Sequence, residues 1–287
     1  MKSFHRRSSR PAALPASVPA AAAPRHAPRA DQLLVERGLA ASRTAARKLI
    51  EAGRVHWEDG IVSRPAQTLP ASVRLRVTPD EADRFVSRAG LKLAGALAHC
   101  GMDVSGRVCL DVGQSTGGFS DCLLQAGATK VVGVDVGHGQ LHPRLAADAR
   151  CVALEGINAR SLDAAALGAH FPPAGFDLLV CDASFISLSL LLPRWQALLA
   201  DGAEVLALVK PQFEVGPGGV GKGGIVRDAT LYAEVEGRVR AAAEAAGLTV
   251  LDWFESPITG SDGNREFFIH CLPADGGRPV RNSRNTA

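Results

Sequence analysis

Apolar and polar positions alternate in two different ways along the chain, and the longer pattern covers residues 80–273. Strand-like apolar runs alternate there with helix-like stretches. The runs are Val108–Val112, Val131–Val136, Leu178–Cys181, Val205–Val209, Val250–Phe254 and Phe267–Cys271. The helical stretches are roughly 90–99, 119–126, 140–148, 187–200 and 230–246. Nearly continuous apolar strands in repeated β-α units predict an α/β fold, with a parallel sheet covered on both faces and ligands bound beyond the carboxyl ends of its strands.

Residues 29–79 show shorter elements. Gln32–Arg37 predicts a short helix, and Ser42 is a candidate N-cap for a second helix. The pair Asp59-Gly60, between two short apolar segments, predicts a tight hairpin turn. Val73–Val77 alternates apolar side chains with arginines, which is typical of a strand with one buried face. Together these elements predict a small α+β domain.

Charge also separates the two regions. The 287 residues carry 32 basic and 29 acidic side chains, a formal net charge of +3. Residues 1–79 hold 14 lysines and arginines against five acids, and the remainder holds 18 against 24. A basic front favours contact with a polyanion such as RNA, although ordinary surface arginines are the alternative. The side chains expected to contact RNA phosphates are Arg43, Arg47, Lys48, Arg74 and Arg76.

The termini and the cysteines exclude several classes of protein. Residues 1–28 are rich in Pro, Ala and Arg and predict a disordered basic arm, and residues 274–287 predict a disordered tail. No apolar run reaches the roughly 18 residues of a membrane helix, so no membrane partner is expected. The cysteines show no C-x-x-C spacing, which favours reduced thiols of a cytoplasmic protein without a metal site.

A glycine-rich turn follows the first strand of the longer region. The stretch Asp111–Phe119 reads Asp-Val-Gly-Gln-Ser-Thr-Gly-Gly-Phe. Such a turn lets the backbone approach a ligand closely, and the next helix offers free N–H groups to an anionic part of it. Asp135 ends the following strand, 22 residues after Gly113, and an acid there can bind both hydroxyls of a ribose.

The spacing of these glycines indicates which nucleoside cofactor is bound. It is G-x-x-x-G-G, not the G-x-G-x-x-G of dinucleotide sites, and Asp111 would repel a pyrophosphate. The same acid is favourable beside a sulfonium and an α-amino group. The sequence therefore predicts S-adenosylmethionine rather than NAD, with a purely structural turn as the alternative.

Two charged residues end neighbouring apolar runs. Asp182 follows the run that ends at Cys181, and Lys210 follows the run that ends at Val209. Taken singly, such residues are a helix cap and a solvated strand end. Because the carboxyl ends of parallel strands meet at one edge of a sheet, we expect the two side chains beside the cofactor pocket, where they are candidates for catalysis.

Four stretches together resemble the TlyA family of 2′-O-ribose methyltransferases, which act on cytidines of ribosomal RNA and are also labelled haemolysins. These stretches are Val86–Leu93, Asp111–Phe119, Asp182–Leu188 and Lys210–Glu214. The resemblance covers about residues 29–273. It implies an RNA-binding domain of the kind first seen in the fourth small-subunit ribosomal protein (29–79), then an FtsJ-like Rossmann methyltransferase domain (80–273). Its implied partners are ribosomal RNA or ribosomal subunits.

The same resemblance implies a Lys-Asp-Lys-Glu tetrad of catalytic residues. Motif matching places the tetrad on Lys92, Asp182, Lys210 and Glu266. Beside Asp111, it indicates as cofactor-binding residues Gly113, Ser115, Thr116, Gly117, Gly118, Phe119, Asp135 and Asn158. The chain departs from the family pattern at Gln114, where a small residue is more usual, and at Ala30, which replaces a leucine.

The tetrad has a physical logic of its own. A ribose 2′-hydroxyl is a poor nucleophile that needs a base and an in-line methyl donor. A free lysine, with a pKa near about 10.4, is too basic for this role, but a second lysine and partial burial lower a lysine pKa. The hypothesis is that Lys210 acts as the base beside Lys92, with the reverse assignment open. Asp182 would orient Lys210, and Glu266 would position Lys92 or the ribose.

Val215–Gly224 contains six glycines and follows Lys210 closely. So many glycines near the active edge of the sheet suggest a mobile loop that orders over bound RNA, and a floppy connection is the alternative. Lys222 and Arg227 are the side chains expected to touch phosphate there.

Three other functions fit parts of the pattern. A non-catalytic RNA-binding or ribosome-assembly factor has no use for the complete tetrad, and a pore-forming cytolysin would need a membrane-length or strongly amphipathic segment. An NAD-dependent oxidoreductase would need the other glycine spacing. The sequence leaves open the target nucleotide, the ribosomal subunit and the oligomeric state.

Overall fold

The computed structural model describes residues 27–274, which form two compact units divided between Pro79 and Asp80. The predicted arm (1–28) and tail (274–287) lie outside the described residues, except for positions 27, 28 and 274. All six cysteines are free thiols. Within residues 27–274 there is no cluster of three or more His, Cys, Asp or Glu side chains suited to a metal ion, and no helix is long and apolar enough to cross a membrane.

Two helices and a three-stranded antiparallel sheet form the first unit. Its elements are α1 (Ala30–Glu36), α2 (Arg43–Glu51), β1 (Val55–Trp57), β2 (Gly60–Ile61) and β3 (Arg76–Val77), with the sheet order β2-β1-β3. Ser42 caps α2, because its Oγ accepts a hydrogen bond from Ala45 N at 3.2 Å. Leu34 of α1, Ile50 of α2 and Val55 of β1 are buried in one apolar cluster, which holds the helices on the sheet.

Two local predictions for this unit are wrong. Trp57 pairs with Gly60, so the hairpin turn lies one residue earlier than Asp59-Gly60. Gly60 instead begins β2 with a φ of +131°, a conformation that glycine adopts without strain. The predicted strand Val73–Val77 pairs with its neighbour only at Arg76–Val77. Its alternation is nevertheless present, since the apolar side chains are buried or half-buried and the arginines are exposed.

The second unit is a seven-stranded sheet with helices on both faces. Its strands are β4 (Val108–Val112), β5 (Lys130–Asp135), β6 (Cys151–Glu155), β7 (Phe176–Cys181), β8 (Leu199–Val209), β9 (Leu248–Glu255) and β10 (Phe267–Pro273). Its helices are α3 (Ala89–Cys100), α4 (Gly118–Gln125), α5 (Pro143–Ala146), α6 (Ala164–Leu167), α7 (Pro211–Glu214) and α8 (Thr230–Ala245). Each of the six predicted strands is present, which confirms the α/β fold.

The sheet is mixed rather than wholly parallel. Its order is β6-β5-β4-β7-β8-β10-β9, and β4 to β8 run parallel to one another. β10 is antiparallel to both β8 and β9, so the expectation of a parallel sheet is wrong at this edge. The connection from β9 to β10 spans the 11 residues 256–266 and contains no helix, so it lacks the crossover that a parallel neighbour needs.

Three other segments differ from their predictions. The predicted helix 187–200 is a series of 3-10 turns, in keeping with Pro193, which has no N–H for a helical hydrogen bond. The predicted helix 140–148 contains only the single turn of α5. β6 was not predicted, although its first four residues, Cys151–Leu154, are apolar; it is a half-exposed strand at the edge of the sheet.

Apolar side chains cover each face of the sheet. On one face, Leu93 of α3 and Leu123 of α4 pack with Leu206 of β8 in one buried cluster. On the other face, Val235 of α8 and Trp195 of the 3-10 turns belong to a second cluster. This packing fixes the sheet between its two layers and leaves the carboxyl ends of β4, β5, β7 and β8 at one shared edge.

Candidate active site

Two cavities lie at this edge and share five lining residues. The larger has a volume of about 520 Å³ and the smaller about 140 Å³. The shared residues are Ser87, Ala89, Asp182, Ser184 and Lys210. The smaller cavity is also lined by Gly113, Gln114, Ser115, Thr116, Gly118 and Phe119, and the larger cavity by Lys92 and Glu266. The predicted tetrad therefore lines the larger space, and most of the predicted cofactor residues line the smaller one.

The glycines of the turn after β4 allow a close approach of neighbouring segments. Gly113 has a φ of +88°, and a Cβ there would lie 2.9 Å from the backbone oxygen of Asp182. Gly117 has a φ of +92°, and a Cβ there would lie 2.3 Å from a methyl carbon of Leu145. A larger residue at either position would push β7 or α5 away from the turn.

Asp135 and Asn158 both make local contacts with the backbone. Asp135 ends β5, and its Oδ2 accepts a hydrogen bond from Ser115 N at 2.8 Å while its Oδ1 accepts one from Gly137 N at 2.7 Å. Asn158 caps a 3-10 turn, with its Oδ1 accepting from Arg160 N at 3.0 Å. Neither residue lines the two cavities, so contact between these side chains and the cofactor stays a prediction.

Asp111 lies beneath the turn and is fully buried. Its Oδ2 accepts a hydrogen bond from Ser120 Oγ at 2.7 Å, and its Oδ1 has no hydrogen-bond partner in the described part of the chain. Burial raises the pKa of this carboxyl to about 7, and the hydrogen bond from Ser120 opposes that shift. Asp111 lines neither cavity and supports the turn from below, so contact between its side chain and the cofactor stays a prediction.

Gln114 is accommodated by a glycine on the neighbouring strand. A Cβ on Gly133 of β5 would lie 2.0 Å from the Gln114 side chain, so the glycine provides the space that the longer side chain fills. Gln114 Nε2 also donates to Ser120 Oγ at 2.9 Å, which links it to Asp111. The departure from the family pattern is therefore compensated within the fold.

The four residues of the predicted tetrad form two ion pairs in the larger cavity. Lys210 Nζ lies 2.7 Å from Asp182 Oδ1 and donates a hydrogen bond to Ser184 Oγ at 2.7 Å. Lys92 Nζ donates to Glu266 Oε2 in a short contact, and both of these side chains are nearly buried. Burial raises the pKa of Glu266, and the charges of Lys92 and Lys210 oppose that shift. Each lysine thus has one carboxylate that fixes its position.

Glu214 ties the two strand ends together. It follows Lys210 on α7 and is buried, with an exposed fraction of 5%. Its Oε2 accepts a hydrogen bond from Ser187 Oγ at 2.6 Å, and its Oε1 accepts one from Leu188 N at 2.7 Å. Ser187 and Leu188 belong to the loop that begins with Asp182, so this carboxylate holds the loop after β7 against the helix after β8.

Asn264 anchors the glycine-rich segment, which is taken from here on as residues 215–227. Asn264 Nδ2 donates to Gly224 O at 2.8 Å, and its Oδ1 accepts from Val226 N at 2.9 Å. Gly224 lines the larger cavity, so the segment forms part of its wall. Lys222 and Arg227 are exposed on this segment, and their contact with RNA stays a prediction.

Sequence reasoning missed several residues that line the larger cavity. Ser87 and Gln212 each place a buried side-chain oxygen without a hydrogen-bond partner among the described residues. Phe185 is 91% exposed, has a φ of +61° and packs against Phe213 with ring centroids 5.1 Å apart. All four residues lie within the recognised stretches. The sequence could therefore have indicated these residues only by their closeness to the tetrad along the chain. That closeness does not reveal which side chain is exposed or which polar atom lacks a hydrogen-bond partner.

The predicted RNA-binding residues of the first unit fall into two groups. Arg43 pairs with Asp31 at 3.0 Å, and Arg47 pairs with Glu51 at 2.7 Å. The other group comprises Lys48, Arg74 and Arg76, which are exposed and have no side-chain hydrogen bond or ion pair within residues 27–274. The second group is the freer to meet a phosphate.

Known proteins share both units of this chain. A sequence model described as FtsJ-like methyltransferase matches residues 85–271, and one described as S4 domain matches residues 28–75. Over 241 residues the chain is 44% identical to the 16S/23S rRNA (cytidine-2′-O)-methyltransferase TlyA of Mycobacterium tuberculosis, covering 84% of this chain and 88% of that protein. The chain belongs to the TlyA family. It is therefore an FtsJ-like methyltransferase preceded by an S4 domain, and its cofactor is S-adenosylmethionine.

Two further proteins are similar to most of this chain. The chain is 36% identical over 244 residues to Hemolysin A of Brachyspira hyodysenteriae, covering 85% of this chain and 99% of that protein. A solved structure of a candidate hemolysin from Streptococcus thermophilus is 36% identical, with a TM-score of 0.67, and covers 90% of this chain and 92% of that one. The FtsJ-like model and the match to TlyA confirm the resemblance that the motifs indicate and the predicted class of enzyme.

Proposed function

We propose that this enzyme methylates the 2′-hydroxyl of a cytidine in ribosomal RNA, as free RNA or within a ribosomal subunit in the cytoplasm. The observation that carries the proposal is the set of two lysine–carboxylate pairs in one cavity beside the glycine turn. Two relatives, at 44% and 34% identity, are named as rRNA (cytidine-2′-O)-methyltransferases. The S4 domain and the exposed arginines of the first unit support an RNA substrate.

The smaller cavity has features that suit the amino-acid end of S-adenosylmethionine. It is bounded by the glycine turn and by the start of α4, where backbone N–H groups are free to bind a carboxylate. Ser87 Oγ is buried on its wall without a partner among the described residues, and a bound polar group would satisfy it. When bound, the cofactor supplies a methyl group on a positively charged sulfur.

Lys210 is the better candidate for the base, because it lines both cavities and Lys92 lines only the larger one. A hydroxyl held at the boundary of the two spaces would lie beside Lys210. In molecules where the Lys210 amine is neutral, it would accept the proton of the 2′-hydroxyl, which would leave the oxygen as the nucleophile towards the methyl group that the bound cofactor would release from its sulfur. Asp182 and Ser184 hold the amine in place. Lys92, fixed by Glu266, is placed to stabilise negative charge that develops on the oxygen.

Phe185 offers a surface for a nucleobase at the rim of the larger cavity. Aromatic side chains stack on unpaired bases, and a target nucleotide must leave its stack before its ribose can enter a cavity. A side chain that is 91% exposed, held by a positive φ and backed by Phe213, is suited to this contact. Its exposure has no explanation in the packing of the second unit.

The proposed function is tested by mapping ribose methylation in ribosomal RNA. Cells with and without the gene are compared by mass spectrometry of rRNA fragments, and purified enzyme with labelled S-adenosylmethionine is then added to ribosomal subunits from the deletion strain. We expect one or more cytidine 2′-O-methyl groups to disappear with the gene and to be restored by the enzyme. Identical methylation in both strains, or methylation on a base atom, would overturn the proposal.

A further inference from the structure

The loop that follows β7, called here the β7 loop (residues 182–188), has an unusual backbone at Phe185. Its φ is +61°, in the left-handed region that bulky side chains rarely adopt. Such a conformation costs free energy and persists only where the surroundings enforce it. Asp182 and Ser184, which hold the amine of Lys210, lie in the same loop. The contacts that enforce the conformation of the β7 loop therefore bear on the position of that amine.

The β7 loop is held by residues 210–214, which comprise the end of β8 and the helix α7. Three side chains of this segment each contact a different part of the loop, so the two segments are joined along most of its length. The contacts are those of Lys210 with Asp182 and Ser184, of Phe213 with Phe185, and of Glu214 with Ser187 and Leu188.

Glu214 differs from the other two because it lines neither cavity. Both of its carboxylate oxygens accept hydrogen bonds from the β7 loop, one from Ser187 Oγ and one from Leu188 N, which fixes the orientation of the side chain. Its backbone oxygen accepts a further hydrogen bond from Arg238 of α8. Glu214 is thus fixed on one side and holds the β7 loop on the other, and any effect on the reaction must pass through that loop.

We propose that Glu214 is a positioning residue for methyl transfer, an inference that rests on the proposed function. By holding Ser187 and Leu188, it keeps the left-handed turn at Phe185 closed and keeps Asp182 against the amine of Lys210. The geometry of a reacting group has a large effect on rate, since a misplacement of about 1 Å can cost roughly 100-fold. The buried carboxylate therefore contributes to the reaction without contact with substrate or cofactor.

Three variants remove this hold on the β7 loop to different extents. Glu214→Met removes both acceptors and keeps a side chain of similar length. Glu214→Gln keeps an oxygen for Leu188 N and turns its amide to Ser187, whose hydroxyl can accept as well as donate. Ser187→Ala removes one of the two hydrogen bonds.

Hydrogen exchange of the loop amides, followed by mass spectrometry on the free full-length enzyme, tests the hold itself. Exchange follows the population of the opened segment, so in Glu214→Met it should be about tenfold faster or more after the loss of two hydrogen bonds. In Glu214→Gln it should be close to that of the wild type, and in Ser187→Ala it should lie between the two.

Methyl transfer to ribosomal RNA in single turnovers tests the consequence for the reaction. With cofactor and RNA saturating, the rate should fall about 10- to 100-fold in Glu214→Met and be restored in Glu214→Gln. The KM for S-adenosylmethionine should change little. In the Lys210→Ala background, Glu214→Met should cause little further loss, because the amine that it positions is already absent. A role in stability alone would give the same factor in both backgrounds.

Glu204→Gln is the matched control. Glu204 is a nearly buried carboxylate of β8 that pairs with Arg107 and His270, and it lines neither cavity. The variant should have a lower thermal midpoint but wild-type transfer rates and wild-type exchange in the β7 loop.

The outcomes separate this role from the proposed function. Unchanged loop exchange or unchanged transfer in Glu214→Met, or equal losses with and without Lys210, would each overturn the positioning role. If the wild-type enzyme methylates no ribosomal RNA, the proposed function fails and the role of Glu214 in methyl transfer fails with it. The exchange measurement then decides by itself whether Glu214 holds the β7 loop.

Discussion

Lys92 and Lys210 have different surroundings, and this predicts different consequences of losing each one. Lys210 stands at the boundary of the two cavities, held by Asp182 and Ser184. Lys210→Ala should bind cofactor and RNA but transfer methyl groups about 10²- to 10⁴-fold more slowly, the usual scale for losing a positioned base. Single-turnover rates measure this directly, with S-adenosylhomocysteine affinity as the check on folding.

Lys130 provides a matched control for this substitution. It begins β5 and lines neither cavity, so Lys130→Ala should keep the wild-type rate. If Lys210→Ala retains full activity while Lys92→Ala abolishes it, the two lysines have the opposite roles. Full activity in both variants would remove the lysine base from the mechanism.

The buried carboxyl of Asp111 predicts that the stability of the second unit depends on pH. Burial raises the pKa of this carboxyl to about 7 in the folded state, whereas in the unfolded chain it has the ordinary pKa of an aspartate. Below about pH 4 both states are protonated; as the pH rises the unfolded state ionises first, so the folded state loses stability until the pH passes about 7. Between pH 5 and pH 8, the free energy of unfolding of the wild type should therefore fall by about 2 to 3 kcal/mol relative to that of Asp111→Asn.

Urea unfolding of both proteins at the two pH values measures this difference. The asparagine keeps an oxygen that can accept the hydrogen bond from Ser120, so the variant tests the ionisation rather than the packing. Parallel pH profiles for the two proteins would mean that the carboxyl is ionised at no cost in the folded state.

The sequence predicts residue positions well where they follow a strand. Asp182 and Lys210 could be placed beside each other because parallel strands end at a common edge, and the ion pair between them follows from that topology. Ser87 and Gln212 could not be identified in this way. Their importance depends on a buried oxygen with no partner, which is a property of the folded surroundings.

At the scale of elements, we predict that the glycine-rich segment is a fixed part of the wall of the larger cavity, held in place by Asn264. Asn264 makes two hydrogen bonds to this segment, and Tyr232 Oη adds a third by donating to Val226 O at 2.8 Å. Each such bond contributes about 1 kcal/mol. Asn264→Ala should therefore increase trypsin cleavage after Lys222 and Arg227 by about tenfold or more, because proteolysis follows the population of the open segment.

Tyr232→Phe tests the same anchor with a smaller change. It removes one hydrogen bond and retains the ring, so its increase in cleavage should be smaller than that of Asn264→Ala. Cleavage rates are read from the fragments in a time course at low trypsin concentration. Equal cleavage in all three proteins would show that the segment is open regardless of Asn264, as expected of the mobile loop suggested by its glycines.

The elements themselves show which parts of a fold a sequence pattern predicts. Buried central strands such as β7 and β8 end in continuous apolar runs, because both of their faces are covered there. The edge strand β6 was not predicted, although it too begins with four apolar residues, and its burial is only partial. The direction of β10 could not be read from its own residues, since it depends on the short connection from β9 and on the pairing that this connection permits.

At the scale of the whole molecule, charge is divided between the two units in a way that suits their roles. The basic residues of 1–79 outnumber the acids there, and the acids prevail in the remainder. Within the first unit, however, Arg43 and Arg47 are already paired with acids. Net charge therefore overstates the number of side chains free to bind phosphate, and the structure narrows the set to Lys48, Arg74 and Arg76 among the predicted residues.

This division predicts the salt dependence of RNA binding. Each phosphate contact that releases a counterion contributes about 0.7 to 0.9 to the slope of log K against log salt. The double variant Arg74→Gln with Arg76→Gln should bind ribosomal RNA more weakly and lower the magnitude of that slope by about 1.5. Arg47→Gln should change the slope less, because its guanidinium is paired with Glu51 before RNA arrives. Filter binding of labelled rRNA from low to moderate salt measures the slope for both variants. An unchanged slope in the double variant would mean that Arg74 and Arg76 do not contact the RNA backbone.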